Sequence, residues 1–479
     1  MTSSDQPAPS YEELAALVVE QAATITQLRA DLSQANERIA ELQARLDSDS
    51  TNSSKPSSTD PFVKPKPKSQ RRRTGRKPGG QPGHPGQTRA QTPDPDHVLE
   101  HHPHTCGGCG GDLAGSEQTG LVRRQVVDLP PIKPTVTEHQ MIEHTCACGE
   151  RTRASAPEGI NAPVQFGANV RAMICYLYLG QFLSAKRTAQ ALSDLVGCPV
   201  SAGTVVDTAR RAATALEAFT RAATEEIASA QVAHFDETSL RVGGGLVWVH
   251  SASTGKWSLL SAHPKRGTVG MDAAGVLPAF AGLAVHDAWA PYDTYKGVAA
   301  HVLCNAHLLR ELQAVQDAAG EGVWCWAGQA ADALRQMKRL VDAHLATVSS
   351  LEGIDTVRLD GLGHQWRSAV AIGLAQTSGR ESKLVAKFHA LARRMRDREA
   401  DYLRFTVDER APFDNNAAER EVRMVKVRQK VSGCLRSLAG AEWFCAVRSY
   451  IATAAKHGIG MFDALVHLAQ GECWMPETA

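Results

Sequence analysis

Helical patterning ends near residue 228, and the stretch beyond it constrains the fold more than any other feature of the chain. The segments QVAHFDETSLRV, GLVWVHSAST and KWSLLSAHP read as three strands separated by Gly-rich or polar turns. A helical segment comes next, near 268–280, then a strand in GLAVHDAWAPY, then HVLCNAHLLRELQ, a strand running into a helix. Two acids lie at the ends of apolar strands. Asp236 ends VAHFD and Asp287 ends LAVHD, 287 − 236 = 51 residues later. One Asp at a strand end is ordinarily a turn residue. Two, on strands that would be neighbours in the topology this order suggests, are harder to dismiss.

Three strands, helix, strand, helix, strand, helix is the order of a ribonuclease-H-like α/β fold. Phosphoryl transfer by a two-metal route needs about three acids to hold two Mg²⁺ roughly 3.5–4 Å apart. Asp236 and Asp287 therefore lack a partner, which must come from a helix packed beside the strands. The segment DNNAAEREVR, residues 414–423, offers one. Read alone, it is a solvated helix face with charge pairs one turn apart. Read with the two strand acids, Glu419 becomes the third ligand. It lies three residues after Asn416 and four before Arg423, on one face. Glu421 is displaced about 200° around the helix and cannot share that site. Asp414 is placed to cap the helix. Arg420, Arg423, Lys426 and Arg428 are the bases expected to meet phosphates.

The chain has 479 residues, which suggests about three domains, and its 43% hydrophobic content allows a large buried core. A formal net charge of +1 hides segregation. Between Pro61 and Pro93 there is no acid and there are nine bases: Lys64, Lys66, Lys68, Arg71, Arg72, Arg73, Arg76, Lys77 and Arg89. Such a run is either a solvated linker or a contact for nucleic acid, and Arg71, Arg72, Arg73, Arg76 and Lys77 are its densest part. The surrounding Ser-, Pro- and Gly-rich text, residues 49–96, cannot bury enough apolar surface to fold alone and reads as a disordered basic linker.

Ahead of it, Leu14, Val18, Gln21, Ile25, Leu28, Leu32, Ala35, Ile39, Leu42 and Leu46 recur in alternating steps of four and three. An amphipathic helix packed on a globular body would follow a 3.6 period and drift from this pattern. A self-associating coiled coil over residues 10–48 fits it, with Gln21 in the seam fixing register. No apolar run is long enough to span a bilayer, and MTSSDQPAPS lacks the start of a signal peptide. A cytoplasmic, nucleoid-associated location is expected, with the eleven Cys reduced.

Four of those Cys form two close pairs, Cys106 with Cys109 and Cys146 with Cys148. With one or two hairpins between them, as RRQVVDLPPIKPTVTEHQMIEH suggests, residues 97–155 read as a small zinc-binding β unit. The alternatives are two reduced thiol pairs in turns, or His144 in place of one Cys. Residues 160–228 read as helices. SAKRTAQALSDLVG breaks at Gly197–Pro199, and SAGTVVDTARRAATALEAF opens with Ser201 as cap. Both a helix-turn-helix DNA-binding unit and an ordinary helical hairpin fit that pattern.

HFDET, VHDAWAPY, CNAHLLREL and DNNAAEREVR resemble the catalytic blocks of the insertion sequence 66 family of bacterial DDE transposases. The leading coiled coil, the SSKPSS and GGQPGHPG linker and the Cys pairs are similar to that family as well, so the resemblance covers most of the chain. It implies catalytic acids at Asp236, Asp287 and Glu419, Mg²⁺ or Mn²⁺ on those acids, and zinc on Cys106, Cys109, Cys146 and Cys148. Cys304 and His307 resemble a C-x-x-H element that comes after the second acid in several DDE superfamilies.

The reading is a catalytic core at 230–312 and 413–460, interrupted by a helical insertion at 313–412 and followed by a tail at 461–479. It makes the chain a DNA transposase that cuts element ends and joins them to target DNA. Double-stranded DNA at ends and target, a second copy of the chain and accessory element-encoded proteins are its expected partners. The rivals are a non-catalytic zinc DNA-binding regulator and a structure-specific nuclease of the same fold.

Overall fold

A computed structural model describes residues 10–46, 89–320, 322–379 and 382–477. The bases Arg71, Arg72, Arg73, Arg76 and Lys77 lie outside the described residues. Helix α1, Tyr11–Leu46, leads the chain. Its seam residues Leu14, Val18, Ile25, Leu28, Leu32, Ile39 and Leu42 are all exposed. No helix among the described residues is long and apolar enough to cross a membrane.

The Cys-containing unit has one short ladder, β1 (Glu143–Thr145) against β2 (Arg151–Arg153). The alternating stretch ahead of it forms no strand, contrary to the hairpin expectation. Its apolar residues Val126, Leu129, Ile132 and Val136 have no layer to cover them and stay exposed, so alternation alone does not make a ladder.

Four helices come next: α2 (Ala168–Cys175), α3 (Ala185–Val196), α4 (Ala202–Thr214) and α5 (Glu217–Ala228). Local chemistry punctuates them as read. Ser184 caps α3 and Gly197 ends it at φ 61°, a left-handed conformation that suits glycine. Ser201 then accepts the Thr204 N–H at 3.0 Å to start α4.

The sheet has five strands in the order β5-β4-β3-β6-β7. They are β3 (Val232–Val242), β4 (Gly245–Ser253), β5 (Ser258–His263), β6 (Leu283–His286) and β7 (Ala300–Leu303). β3, β4 and β5 run antiparallel as a meander, and β6 and β7 add in parallel on the other side of β3. The crossover from β5 to β6 carries α6, Thr268–Ala273. The outer edge of β5 is covered by α13, Leu438–Lys456. Ser258 N–H donates to Thr453 Oγ1 at 3.0 Å and Leu260 N–H to Ser449 Oγ at 2.8 Å, so two hydroxyls satisfy an edge that would otherwise pair with another chain.

β7 leads into α7 (Asn305–Ala319), then α8 (Trp326–Leu345), α9 (Thr356–Gln376), α10 (Lys383–Asp397) and α11 (Glu399–Tyr402). The chain returns through α12 (Asn416–Ser432), α13 and α14 (Met461–Gln470). Residues read as a tail thus hold a helix, whose Ala464, Leu465 and Leu468 are buried in the same core as the sheet. Two large cores flank the sheet. One joins β3–β5 to α2, α4, α5, α13 and α14. The other joins β6 and β7 to α7–α10.

The second core is centred on Trp366, which is fully buried. Gly373 on α9 lets Trp326 of α8 approach so closely that an added Cβ would lie 2.6 Å from its indole. Gly373→Ala should therefore destabilise the helical insertion by about 1–3 kcal/mol, and Trp366→Ala by about 3–5 kcal/mol. Urea unfolding followed by tryptophan fluorescence checks both; a neutral Gly373→Ala would mean that α8 and α9 do not pack this way.

Candidate active site

Register brings the first two acids together. Val232, Ala233 and His234 of β3 lie beside Leu283, Ala284 and Val285 of β6. Asp236 and Asp287 are each two residues further along, on one face of adjacent parallel strands. β3 does not end at Asp236 but continues antiparallel to β4, with Asp236 opposite Ser251. Asp236 thus sits where β3 outruns its parallel neighbour. Its Oδ1 accepts the Glu237 N–H at 2.9 Å. Burial pushes its carboxyl well above the usual range, and the charges of Glu237, Asp287 and Glu419 push it further.

Asp287 opens a strained turn. Ala288, the next residue, has φ 68°, which is rare for a side chain other than glycine. Asp287 Oδ1 accepts the Trp289 N–H at 3.0 Å. On the opposite side of the turn, the Ala288 N–H donates to His286 Nδ1 at 3.2 Å. His286 Nε2 lies 3.0 Å from His301 Nδ1. With Nδ1 already accepting, His286 carries its proton on Nε2 and donates it to His301. Burial keeps both imidazoles neutral by lowering their pKa values. The pair therefore props the turn that aims Asp287.

Glu419 arrives on the first turn of α12. The start of that helix is fixed by Asn415, which is fully buried. Asn415 Nδ2 donates to the Phe235 carbonyl at 2.7 Å, and Oδ1 accepts from His234 Nδ1 at 2.9 Å. Its backbone N–H donates to Cys304 Sγ at 3.1 Å. Asn415 thereby ties α12 to β3, one residue before Asp236, and to the start of α7. Contrary to the capping role expected of Asp414, Asn415 is the capping position and no side chain caps the helix; Asp414 Oδ1 accepts the Asn416 N–H at 3.1 Å just ahead of it. Glu419 faces α7, with Oε1 3.5 Å from His307 Nδ1 and Oε2 3.6 Å from Arg310.

Glu421 points away from this site. It accepts from Ser258 Oγ at 2.9 Å and lies 3.9 Å from Lys456 Nζ. Among the four bases read on α12, Arg420 and Arg423 are exposed. Lys426 turns inward to donate to Ser239 O and Oγ at 2.6 and 2.8 Å. Arg428 corrects the sequence reading: it is 3% exposed, packed between the Tyr178 and Phe444 rings. The helix turns about 100° per residue, so a basic run of this length cannot present every member to DNA.

Sequence reasoning passed over Glu237, although HFDET contains it. Its carboxylate accepts two bonds from Arg266, at 2.7 and 3.0 Å, and one from Tyr292 Oη at 2.7 Å. Burial and then the Asp287 charge push it up to about 7, against the pull of those bonds. The Arg266 guanidinium is stacked between Trp248 and Trp289, 4.8 and 3.9 Å from their centroids.

In the Cys-containing unit each pair forms a knuckle. Cys106 N–H donates to Gly111 O at 2.8 Å and Gly110 N–H returns to Cys106 O at 2.9 Å. Cys146 N–H donates to Glu150 O and Gly149 N–H to Cys146 O, both at 2.8 Å. Hydrogen bonds from Cys109 and Cys148 lower the Cys106 and Cys146 thiol pKa values, which suits metal ligands. Among the described residues, the four sulfurs are not gathered within 4.8 Å of one another.

Asn415→Ala would leave the Phe235 carbonyl and His234 unpaired in the interior. Each such group costs about 1–3 kcal/mol, so a loss of about 2–4 kcal/mol in denaturant unfolding is expected. A change below about 1 kcal/mol would show that the clasp is not what holds α12.

Comparison with protein families accounts for this arrangement. Residues 163–443 match the family described as Transposase IS66 family. Residues 103–149 match the zinc-finger binding domain of transposase IS66, so the Cys unit is a zinc-finger domain and a zinc-binding one. Residues 6–90 match a family of unknown function. A search of curated proteins finds no match. With more than half its length covered by one family, the chain belongs to the IS66 transposases, enzymes that act on DNA as the transposases of insertion sequences.

Proposed function

We propose that Asp236, Asp287 and Glu419 are the metal-binding acids of a ribonuclease-H-like DDE centre. The strand order, with one antiparallel meander and two added parallel strands, supports that fold. The observation that carries the site is the β3–β6 register, which sets Asp236 and Asp287 at the same level of neighbouring strands; the charge of Glu419 on α12 also bears on Asp236. Hard divalent cations fit such an all-oxygen donor set. Mg²⁺ or Mn²⁺, when bound, would polarise the attacking hydroxyl and neutralise charge on the leaving oxygen.

The protein's own part is positioning. The β3–β6 register fixes two acids, the His286–Ala288 prop aims the second, and the Asn415 clasp delivers the third. Water would serve as nucleophile in freeing a 3′-hydroxyl at the element end, and that hydroxyl would then attack target DNA in line. Arg420 and Arg423, exposed on α12 beside Glu419, are suited to phosphates. The helix pair α3–α4 and the basic arm through Arg71, Arg72, Arg73, Arg76 and Lys77 are further DNA contacts in this reading. A regulator without catalysis would have no use for acids gathered from three separate elements.

Asp236→Asn, Asp287→Asn and Glu419→Gln should each slow Mg²⁺-dependent cleavage of end-containing DNA on the order of 10²-fold or more, several kcal/mol of transition-state stabilisation. DNA affinity should change little. Glu421→Gln should be far milder, because its partners are Ser258 and Lys456. Full activity in Glu419→Gln beside a dead Glu421→Gln would move the third ligand.

The exposed seam of α1 supports self-association. Replacing Ile25 and Leu32 together with Glu should lower the mass of the full chain in light scattering by at least half. The idea is lost if the unmodified chain is already a monomer at the same concentration.

A further inference from the structure

A second cluster of ligand atoms sits beside the acid site and uses different chemistry. Cys304 Sγ, His307 Nδ1 and one carboxylate oxygen of Glu419 all lie within 4.8 Å of one another. Cys304 is the residue ahead of α7 and His307 lies three positions on, so one helix start presents both from the same side. Glu419 faces them from α12. His307 Nδ1 and Glu419 Oε1 are both buried and neither has a hydrogen-bond partner. They face each other at 3.5 Å, too far for a hydrogen bond. Buried polar atoms are ordinarily paired, and two orphans converging on a sulfur lack what a cation would supply.

We propose that Cys304, His307 and Glu419 form a binding site for one soft divalent cation, zinc, distinct from the zinc-finger unit. Thiolate and imidazole select zinc over Mg²⁺. Three protein ligands leave a fourth position open, as in zinc sites that also hold water. Binding forms Zn–S, Zn–N and Zn–O bonds and releases the Cys304 thiol proton to solvent. Arg310 stays on the other carboxylate oxygen, Oε2, at 3.6 Å.

The consequence deepens the catalytic reading and rests on it. Zinc held here engages Glu419 Oε1 and draws the third acid toward α7. Zinc is then an inhibitor of the Mg²⁺-dependent reaction, acting through the acid itself.

The test uses the full chain, loaded with excess zinc and freed of unbound metal by gel filtration. Zinc per chain is measured by mass spectrometry for wild type, Cys304→Ser and His307→Gln. Because the zinc-finger unit contributes its own metal, the quantity read is the difference. Each variant should hold one equivalent less than wild type. Cys304→Ser keeps an acceptor for the Asn415 N–H and so preserves the clasp; a circular dichroism spectrum like that of wild type verifies it. Equal zinc content in wild type and a folded Cys304→Ser would overturn the site. That readout does not depend on cleavage, so an inactive chain still tests it. Where the chain does cleave DNA, zinc added in excess of the finger should slow wild type on the order of tenfold, a change of about 1.4 kcal/mol in barrier. Unchanged cleavage with the extra zinc bound would sink the inhibitory role.

Discussion

Asn415 carries more of this structure than its size suggests. One amide reaches the carbonyl of Phe235 and the imidazole of His234, and one backbone N–H reaches Cys304. Three segments far apart in sequence meet at a fully buried side chain. The directionality matters as much as the contacts. The carbonyl of Phe235 can only accept and Nδ2 can only donate, which leaves Oδ1 for His234 and fixes its proton on Nδ1. An Asp here would place a carboxylate against a carbonyl, and a Leu would leave both partners unpaired. The start of α12 is thereby held one residue from Asp236 along β3. Four residues, about one helical turn, then set where Glu419 stands.

Electrostatics works against that geometry. Burial raises the Asp236 pKa, and the charges of Glu237, Asp287 and Glu419 raise it further. Glu237 is partly relieved by Arg266 and Tyr292, and Arg266 is itself held by two indoles. Such an arrangement is stable because packing and hydrogen bonds impose it, a common property of functional sites. The positive φ of Ala288, next to Asp287, is of the same kind: a local cost that the His286 hydrogen bond offsets.

Much of this was legible in the sequence because it is local. Alternation marked β3, β4 and β5, Ser201 and Gly197 marked helix ends, and helical geometry separated Glu419 from Glu421. The Asp236–Asp287 pairing came from strand order. The features that sequence did not disclose depend on partners distant along the chain. Nothing local distinguishes Arg428, which is buried, from Arg423, which is exposed. The alternating stretch around Val126 read as strands, yet pairing needs a covering layer that this segment lacks. Glu237 stood in a quoted motif and was passed over because its partner, Arg266, is brought to it only by the β5–α6 connection.

The helices between the second and third acids pose a problem of mechanics. Glu419 lies 419 − 287 = 132 residues after Asp287, and a long excursion would ordinarily loosen the position of the segment after it. Two features prevent this. The excursion shares its core with the sheet, since Leu283, Val285, Val302 and Leu303 pack in one cluster with Trp326, Trp366 and Met395. Its two ends are also pinned together at the neck. Asn305 N–H donates to Phe413 O at 3.1 Å and Asn305 Nδ2 to Tyr402 O at 2.9 Å, beside the Asn415–Cys304 contact. The neck is therefore closed by polar bonds in the interior, where competition from water is absent and each bond counts most. The third acid is placed by that neck and not by the length of chain beyond it. The insertion meets the segment that carries Glu419 at two places: through α7, whose His307 and Arg310 face the two Glu419 oxygens, and through Phe413, which packs in the insertion's own core under Lys338 of α8.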